Sequence, residues 1–442
     1  MKSLLLLAVI LLALARSAMP ATWIVAQDGS GDFIELQDAV DAAAPGDLIL
    51  VKPGVYQGVY IQKPLSIVGS GPDRTVVAEL FGDVILGGSL PGGDLLLGSL
   101  RAEGQIPLRA TSSPTARLIA WNLALVFGDY ISHGKACSVW NFDSCWIDRL
   151  VQVPGLYPHA YGDPGQPGLG IGGGTLGFVS QCRFQGMDQD WEAPTTDGAS
   201  GIALGDNATV YIAETDAIGG KGGEGYDVDC ILYYQPGSGG HGIWVMNEGR
   251  AYVFGRPENE IRGGPGGDYH DYGNHCPTLG GDGGDGIHVD SLEATFSGVQ
   301  PQGAPGGYGD PPGDPGEPTY GNVTEIAPRV PTSTMTGEGY PGTPVTFSFH
   351  ATPGDRLLVA YSTEVDVLDL GQTEGHPLLP SPAGTFGVVP AGTIPDGGTA
   401  SLTCTIPSDA PWGVPFYVQG ILLGAHPAQL TNMSMLVVTP NW

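Results

Sequence analysis

Three copies of a short strand pair, each followed by a glycine-rich insertion, occupy the chain between Ala199 and Gly321. The first strand opens at Gly201-Ile202, Gly242-Ile243 and Gly286-Ile287, 41 and 44 residues apart. The second strand reads TVYIA, AYVF and EATFS, and a glycine pair follows at Gly219-Gly220, Gly263-Gly264 and Gly306-Gly307. Self-similarity at this period marks stacked units that each contact their neighbours. The expectation is an elongated body in which Ile202, Ile243 and Ile287 stack in register and the insertions line up along one side.

Composition agrees with that reading. The 72 Gly and 38 Pro approach the level at which disorder competes, but 41% of residues are hydrophobic and the glycines are periodic, which suits a turn-dense solenoid. The balance of 17 Lys+Arg against 46 Asp+Glu excludes nucleic acid as a partner, and acidity of this kind keeps an exported protein soluble. Residues 1–21 read as a signal peptide: Lys2, an apolar run from Leu4 to Leu14, then Ala15-Arg16-Ser17. That run is shorter than the roughly 20 residues that cross a bilayer. The mature chain is expected to be secreted, extracellular or at the cell surface, monomeric and without a membrane span.

Downstream of the signal, Phe33, Leu36, Val40 and Ala43 fall at helical spacing, ended by Pro45-Gly46. Short β-rich runs bounded by Gly or Pro follow: DLILV, VYI, LSIVGS, TVVA. The stretch DGSGDFIELQDAVDAAAPGDLILVKPGVYQGVYIQKPLSIVGSG resembles the N-terminal cap and first coils of bacterial secreted proteins of the pectin lyase-like superfamily. The resemblance spans Thr22 to Arg74 and implies an all-β fold, a right-handed parallel β-helix over residues 22–328 with an N-terminal capping helix near 36–43. It speaks to fold more than to activity, because lyases, hydrolases, esterases and non-enzymes share the cap. From residue 329 to 442 the pattern changes to about seven short alternating strands, similar to the immunoglobulin-like β-sandwich modules of secreted bacterial proteins.

The six cysteines suit an oxidising compartment. Cys230 and Cys276 occupy equivalent places in two insertions and are expected to form a disulfide, whereas Cys145 and Cys182 follow similar strands and are expected to stack on adjacent coils. Cys137 and Cys404 have no evident partner. No spacing matches a zinc site.

Candidate chemistry lies in the insertions. Asp227, Asp268, Asp271, Asp282 and Asp285 could supply oxygens to Ca²⁺, which takes about six to eight, although Asp beside Gly is also ordinary turn chemistry. No cofactor is required. Trp191, Tyr233, Tyr234, Tyr269 and Tyr272 could stack on sugar rings of a polysaccharide or cell-surface glycan, or anchor the insertions. The order TTDG, DVDCI, GHGI resembles the motif order of polygalacturonase-type glycosidases, which implies Asp197, Asp229 and His241 as catalytic residues. The family's Arg-x-Lys element has no counterpart, and the 12 residues from Asp229 to His241 are about half a coil, so convergence of the three is not expected. The leading expectation is a secreted β-helix that binds carbohydrate or builds cell-surface structure without catalysis. The alternative is a polysaccharide lyase or glycoside hydrolase.

Overall fold

The computed structural model describes residues 20–90, 92–112, 115–127, 137–140, 144–148, 150–153, 167–189, 196–228, 232–270, 279–327, 329–368, 374–380, 386–424 and 427–442. Of the residues read from the sequence as a signal peptide, only the last two are among them. Among the described residues the chain is all-β apart from one short helix, Leu36–Ala42. Twenty-four strands join one hydrogen-bonded network in which every pairing is parallel. Three ladders run through it. Ladder one begins at Thr22–Val25 and continues through Leu48–Val51 and Ser66–Val68 to Thr209–Ala213, Arg250–Phe254, Glu293–Ser297 and Val323–Glu325. Ladder two includes Arg183–Gln185, Asp216–Ile218 and Ile261–Arg262. Ladder three includes Leu169–Gly172, Ile202–Leu204, Ile243–Val245, Ile287–Val289 and Thr319–Tyr320.

The expected register holds. Ile202 pairs with Ile243 and Ile243 with Ile287, and all three are fully buried. Parallel pairing at the ~4.8 Å strand spacing repeats each apolar side chain directly above the last, so one column of branched residues fills the interior. The helix buries Leu36, Ala39 and Val40 against the first strands.

Ladder one is apolar on both faces where the sequence has unbroken runs such as Leu95-Leu96-Leu97 and Leu118-Ile119-Ala120-Trp121. Leu97, Leu118 and Ala120 face the interior. Leu50, Val68, Leu96, Ile119, Trp121 and Phe178 face outward into a second core shared with the C-terminal region. That region holds a three-stranded antiparallel sheet (Thr332–Thr336, Pro344–His350, Thr399–Thr405) and a five-stranded sheet built on Arg356–Ser362, Pro415–Leu423 and Gln429–Val437. The junction carries its own polar ties. Trp121 Nε1 donates to Met435 O at 2.8 Å, Asn432 Nδ2 to Ser180 Oγ at 2.7 Å, and Met335 N to Gln181 Oε1 at 2.7 Å. Continuous apolar strands are what a sheet covered on both faces requires.

The glycine-rich insertions are ordered lattice. Residues 219–224, 263–268 and 303–308 lead away from the strands; 237–242, 280–285 and 313–317 lead back. Hydrogen bonding repeats every three residues, the period of polyproline II. One residue in three bonds sideways to the next segment of its own layer: Gly219 to Arg262 O, Gly222 to Pro265 O, Gly263 to Gln302 O, Gly266 to Pro305 O. The next bonds across to the other layer, giving one continuous column: Gly220 to Ala199 O, Gly240 to Gly220 O, Gly264 to Gly240 O, Gly284 to Gly264 O, Ala304 to Gly284 O, Gly316 to Ala304 O. The third points outward and carries the side chain. Apart from Ala199 and Ala304 near the ends of the column, the residues in these inward positions are glycines, at which a Cβ would lie about 2 Å from a neighbouring carbonyl oxygen. The third copy is offset from the sequence reading: Gly303-Ala304 aligns with Gly219-Gly220, while Gly306-Gly307 aligns one turn later with Gly222-Gly223.

Cys145 pairs in register with Gly177, so Cys182 lies beyond it instead of stacking on it. Cys145 and Cys182 are both buried, and Cys404 is exposed. Cys230 and Cys276 lie outside the described residues.

Candidate functional site

Where the bundle returns to ladder three, the second residue of each strand faces outward: Trp244 after Ile243, His288 after Ile287 and Tyr320 after Thr319. Trp244, His288 and Tyr320 thereby align across three strands. His288 stacks on Tyr320 with centroids 4.6 Å apart and planes 12° from parallel. His241, at the foot of the bundle, stacks on the other side of His288 at 4.1 Å, and Trp244 meets His241 edge-on. Tyr320 is 55% exposed, and its strand pairs, among the described residues, with Ile287–Val289 alone in this ladder. One face of the ring column therefore ends open.

Carboxylates hold the column. His288 Nδ1 lies 2.6 Å from Asp285 Oδ2, and its Nε2 lies 2.9 Å from Asp290 Oδ1. Trp244 Nε1 donates to Asp290 Oδ2 at 2.6 Å. Asp285 Oδ1 accepts Glu317 N–H at 2.7 Å, and His241 Nδ1 accepts Asp285 N–H at 3.1 Å. Burial works against a charge on His288, but its bonds to Asp285 and Asp290 outweigh burial and raise its pKa above the ordinary value. Burial likewise opposes ionisation of Asp285 and Asp290; the His288 bond, with Glu317 N–H for one and Trp244 for the other, overcomes it and lowers both. His241 goes the other way, pushed down to about 4 by burial and by the neighbouring His288 charge. The arrangement is two stacked imidazoles, one of them clamped between two carboxylates.

His241, Asp285 and His288 present ligand atoms within 4.8 Å of one another, yet they fit a metal poorly. Near-parallel stacked rings cannot aim both lone pairs at one ion, His241 Nδ1 already accepts a backbone N–H, and both His288 nitrogens face carboxylates.

The sequence candidates fare unevenly. Asp197 is exposed, and its Oδ1 accepts Ser238 N–H at 2.8 Å. It sits on the outward row of the bundle, one three-residue turn from the row of His241, about 9 Å along the segment. Asp268 pairs with Lys221 at 3.2 Å and accepts Tyr308 N–H; Asp282 accepts Asp314 N–H at 2.9 Å. Asp282 and Asp285 lie a turn apart, and Asp268 is on the opposite layer, so these three do not form one cage. Tyr269 is 5% exposed, which removes it as a surface platform. Asp227, Tyr233 and Tyr234 are described in backbone alone, in a small hairpin. Trp191, Asp229, Asp271 and Tyr272 lie outside the described residues. His288, Asp290 and Tyr320 were not singled out from the sequence; for His288 the signal was its place one residue beyond the strand-opening Ile287.

No family model matches the chain, and neither does any curated protein. A solved structure of a family 28 exopolygalacturonase from Yersinia enterocolitica aligns with 70% of this chain and 79% of its own, at a TM-score of 0.25 and 9% identity. A likeness that slight carries no argument about activity.

Proposed function

We propose that this is an exported carbohydrate-binding protein that does no catalysis. In this reading the parallel-stranded body is a right-handed β-helix of the pectin lyase-like class, closed at its N-terminal end by the 36–42 helix, with residues 329–442 as an immunoglobulin-like module docked on its side. The observation that carries the reading is the open aromatic face of Tyr320, backed by His288 and flanked by Asp290. An apolar ring face beside fixed carboxylate acceptors matches a pyranose, whose C–H face is apolar and whose rim is hydroxyl donors. Exposed aromatics that are rigid before binding lose little entropy on complex formation. Ca²⁺ is not needed for this mode.

The test is affinity electrophoresis and calorimetry against plant and algal polysaccharides, with and without Ca²⁺. Binding to at least one polymer is expected, weakened about tenfold by Tyr320→Ala, consistent with a contribution of ~1.4 kcal/mol. Binding unchanged by Tyr320→Ala would place the glycan elsewhere. Release of reducing ends or of unsaturated products would support the second reading, a carbohydrate-active enzyme. That reading draws on one observation: Asp285 and Asp290 bracket a single imidazole, which sets their facing oxygens roughly 7 Å apart, within the spread of inverting pairs.

A further inference from the structure

Positive charge is scarce in this chain, yet two arginines and a histidine meet in one cleft of about 430 Å³ at the seam between the parallel body and the C-terminal sheets. Arg256 and Glu258 come from the body, Arg329 from the connection, and His350 and Thr399 from the three-stranded sheet. Arg256 Nε bonds Glu214 Oε2 at 2.7 Å. Glu214 has a side chain only 1% exposed, and its other oxygen accepts the Thr332 hydroxyl. Arg256 is thus oriented by a carboxylate that is itself fully committed. Arg329 is different. Its Nε and Nη2 donate to Gly255 O at 3.0 and 2.7 Å, a neutral acceptor. It is solvent-exposed, and among the described residues no carboxylate lies within ion-pair distance of it; Glu214 and Glu258 act on it from farther away. His350 has hydroxyls on both nitrogens, Thr399 at 3.0 Å and Thr334 at 3.3 Å. A hydroxyl can donate or accept, so either charge state of His350 is accommodated.

An exposed guanidinium bonded only to a neutral carbonyl, in a cleft shared with a second arginine and a histidine, keeps N–H donors and charge for a bound anion. We propose that the Arg256–Arg329–His350 cleft is an anion-binding site that takes a carboxylate or sulfate group of a small ligand. Guanidinium forks recognise planar and tetrahedral oxoanions alike through paired N–H donors. Burial, with the two arginine charges, now keeps the His350 pKa below its ordinary value, and Glu214 and Glu258 oppose that. An anion in the cleft would favour protonated His350, so affinity should rise as pH falls. This site is separate from the Tyr320 column and does not depend on the function proposed there.

Calorimetric titration of the full-length protein with sodium sulfate and with sodium acetate, in chloride buffer of constant ionic strength, tests it. Saturable binding of at least one anion is expected, tighter at pH 5.5 than at pH 8; the stronger of the two separates a sulfate-type ligand from a carboxylate-type one. Arg329→Gln should weaken binding about fivefold or more. Because Arg329 also ties Gly255, a second variant guards against misfolding: Glu258→Gln removes an exposed opposing charge and should tighten binding about twofold. His350→Gln should abolish the pH dependence. Absence of saturable binding across this pH range, or affinities unmoved by both Arg329→Gln and Glu258→Gln, overturns the proposal.

Discussion

Replacing Gly240 by alanine is the sharpest test of the glycine bundle. The added methyl would lie 2.0 Å from Ala199 O, against ordinary contact at 3.4 Å or more, so the segment must move by about 1.4 Å. It cannot move freely, because Gly240 N–H bonds Gly220 O at 2.9 Å and Gly240 O accepts Gly264 N–H at 2.7 Å. Overpacking costs about 1–3 kcal/mol, and each of the two buried backbone groups left unpaired about as much again, so a loss of about 3–9 kcal/mol is expected for the bundle. The chain itself marks the limits of tolerance: alanine enters this column at Ala199 and Ala304, near its two ends, and nowhere between. Ser238→Ala, two residues away but outward, should change stability by less than about 0.5 kcal/mol. Hydrogen exchange read by mass spectrometry distinguishes the two. In Gly240→Ala the amides of 219–225 and 237–242 should lose protection while Ile243 and Ile287 keep theirs, since the bundle can open without the ladders. Protection in Gly240→Ala equal to that in Ser238→Ala would refute the close-packing argument.

Three further outcomes follow from the same structure. His376 is fully buried at the seam, with its pKa pushed down by burial to about 3; the unfolded chain protonates it near 6.5, so stability should fall as pH drops below that value, by about 2 kcal/mol at pH 5, and His376→Leu should flatten this part of an acid-denaturation profile. The pKa of His288 is raised while those of Asp285 and Asp290 are lowered; the carboxylate contributions are lost as pH falls through their folded values below ~4, and that of His288 as pH rises past its folded value above ~6.5, so His288 ring signals in NMR should titrate at higher pH than those of His241, and Asp290→Asn should narrow the gap. Trp121→Phe should cost about 1 kcal/mol in urea unfolding by removing the buried bond to Met435 O, and Trp121→Ala about 3–5 kcal/mol by emptying the shared core.

What the sequence disclosed depended on whether side chains carried the signal. The Ile202, Ile243 and Ile287 column could be read because each isoleucine opens a strand with the same flanking glycine. The helix could be read from Leu36 and Val40. The bundle could not, although G-G-x is visible in the text: inward glycines have no side chain whose periodicity reveals a face, and register between segments is set by backbone bonds some forty residues apart. That is why the third glycine pair was placed one turn too late. Docking of the C-terminal sheets was written into Leu96, Ile119 and Trp121 as apolar residues on both faces of one ladder, but such a run does not say what covers it. His288 escaped notice because its role arises from stacking between His241 and Tyr320, contacts that join three separate strand starts.

The acidity of the insertions acquires a structural reason from the same lattice. Each polyproline-type segment turns every third N–H outward, where neither layer supplies an acceptor. Carboxylates of the preceding segment take that place repeatedly: Asp188 accepts Lys221 N–H, Asp197 accepts Ser238 N–H, Asp268 accepts Tyr308 N–H, Asp282 accepts Asp314 N–H, and Asp285 accepts Glu317 N–H. His241 does the same for Asp285 N–H through its ring nitrogen. Aspartate suits the task because its side chain is short enough to reach one segment over, and its charge strengthens the bond. The outward aspartates therefore stitch the bundle along its surface, and Asp268, Asp282 and Asp285, three of the five residues that the sequence offers to a metal, each accept a backbone N–H there.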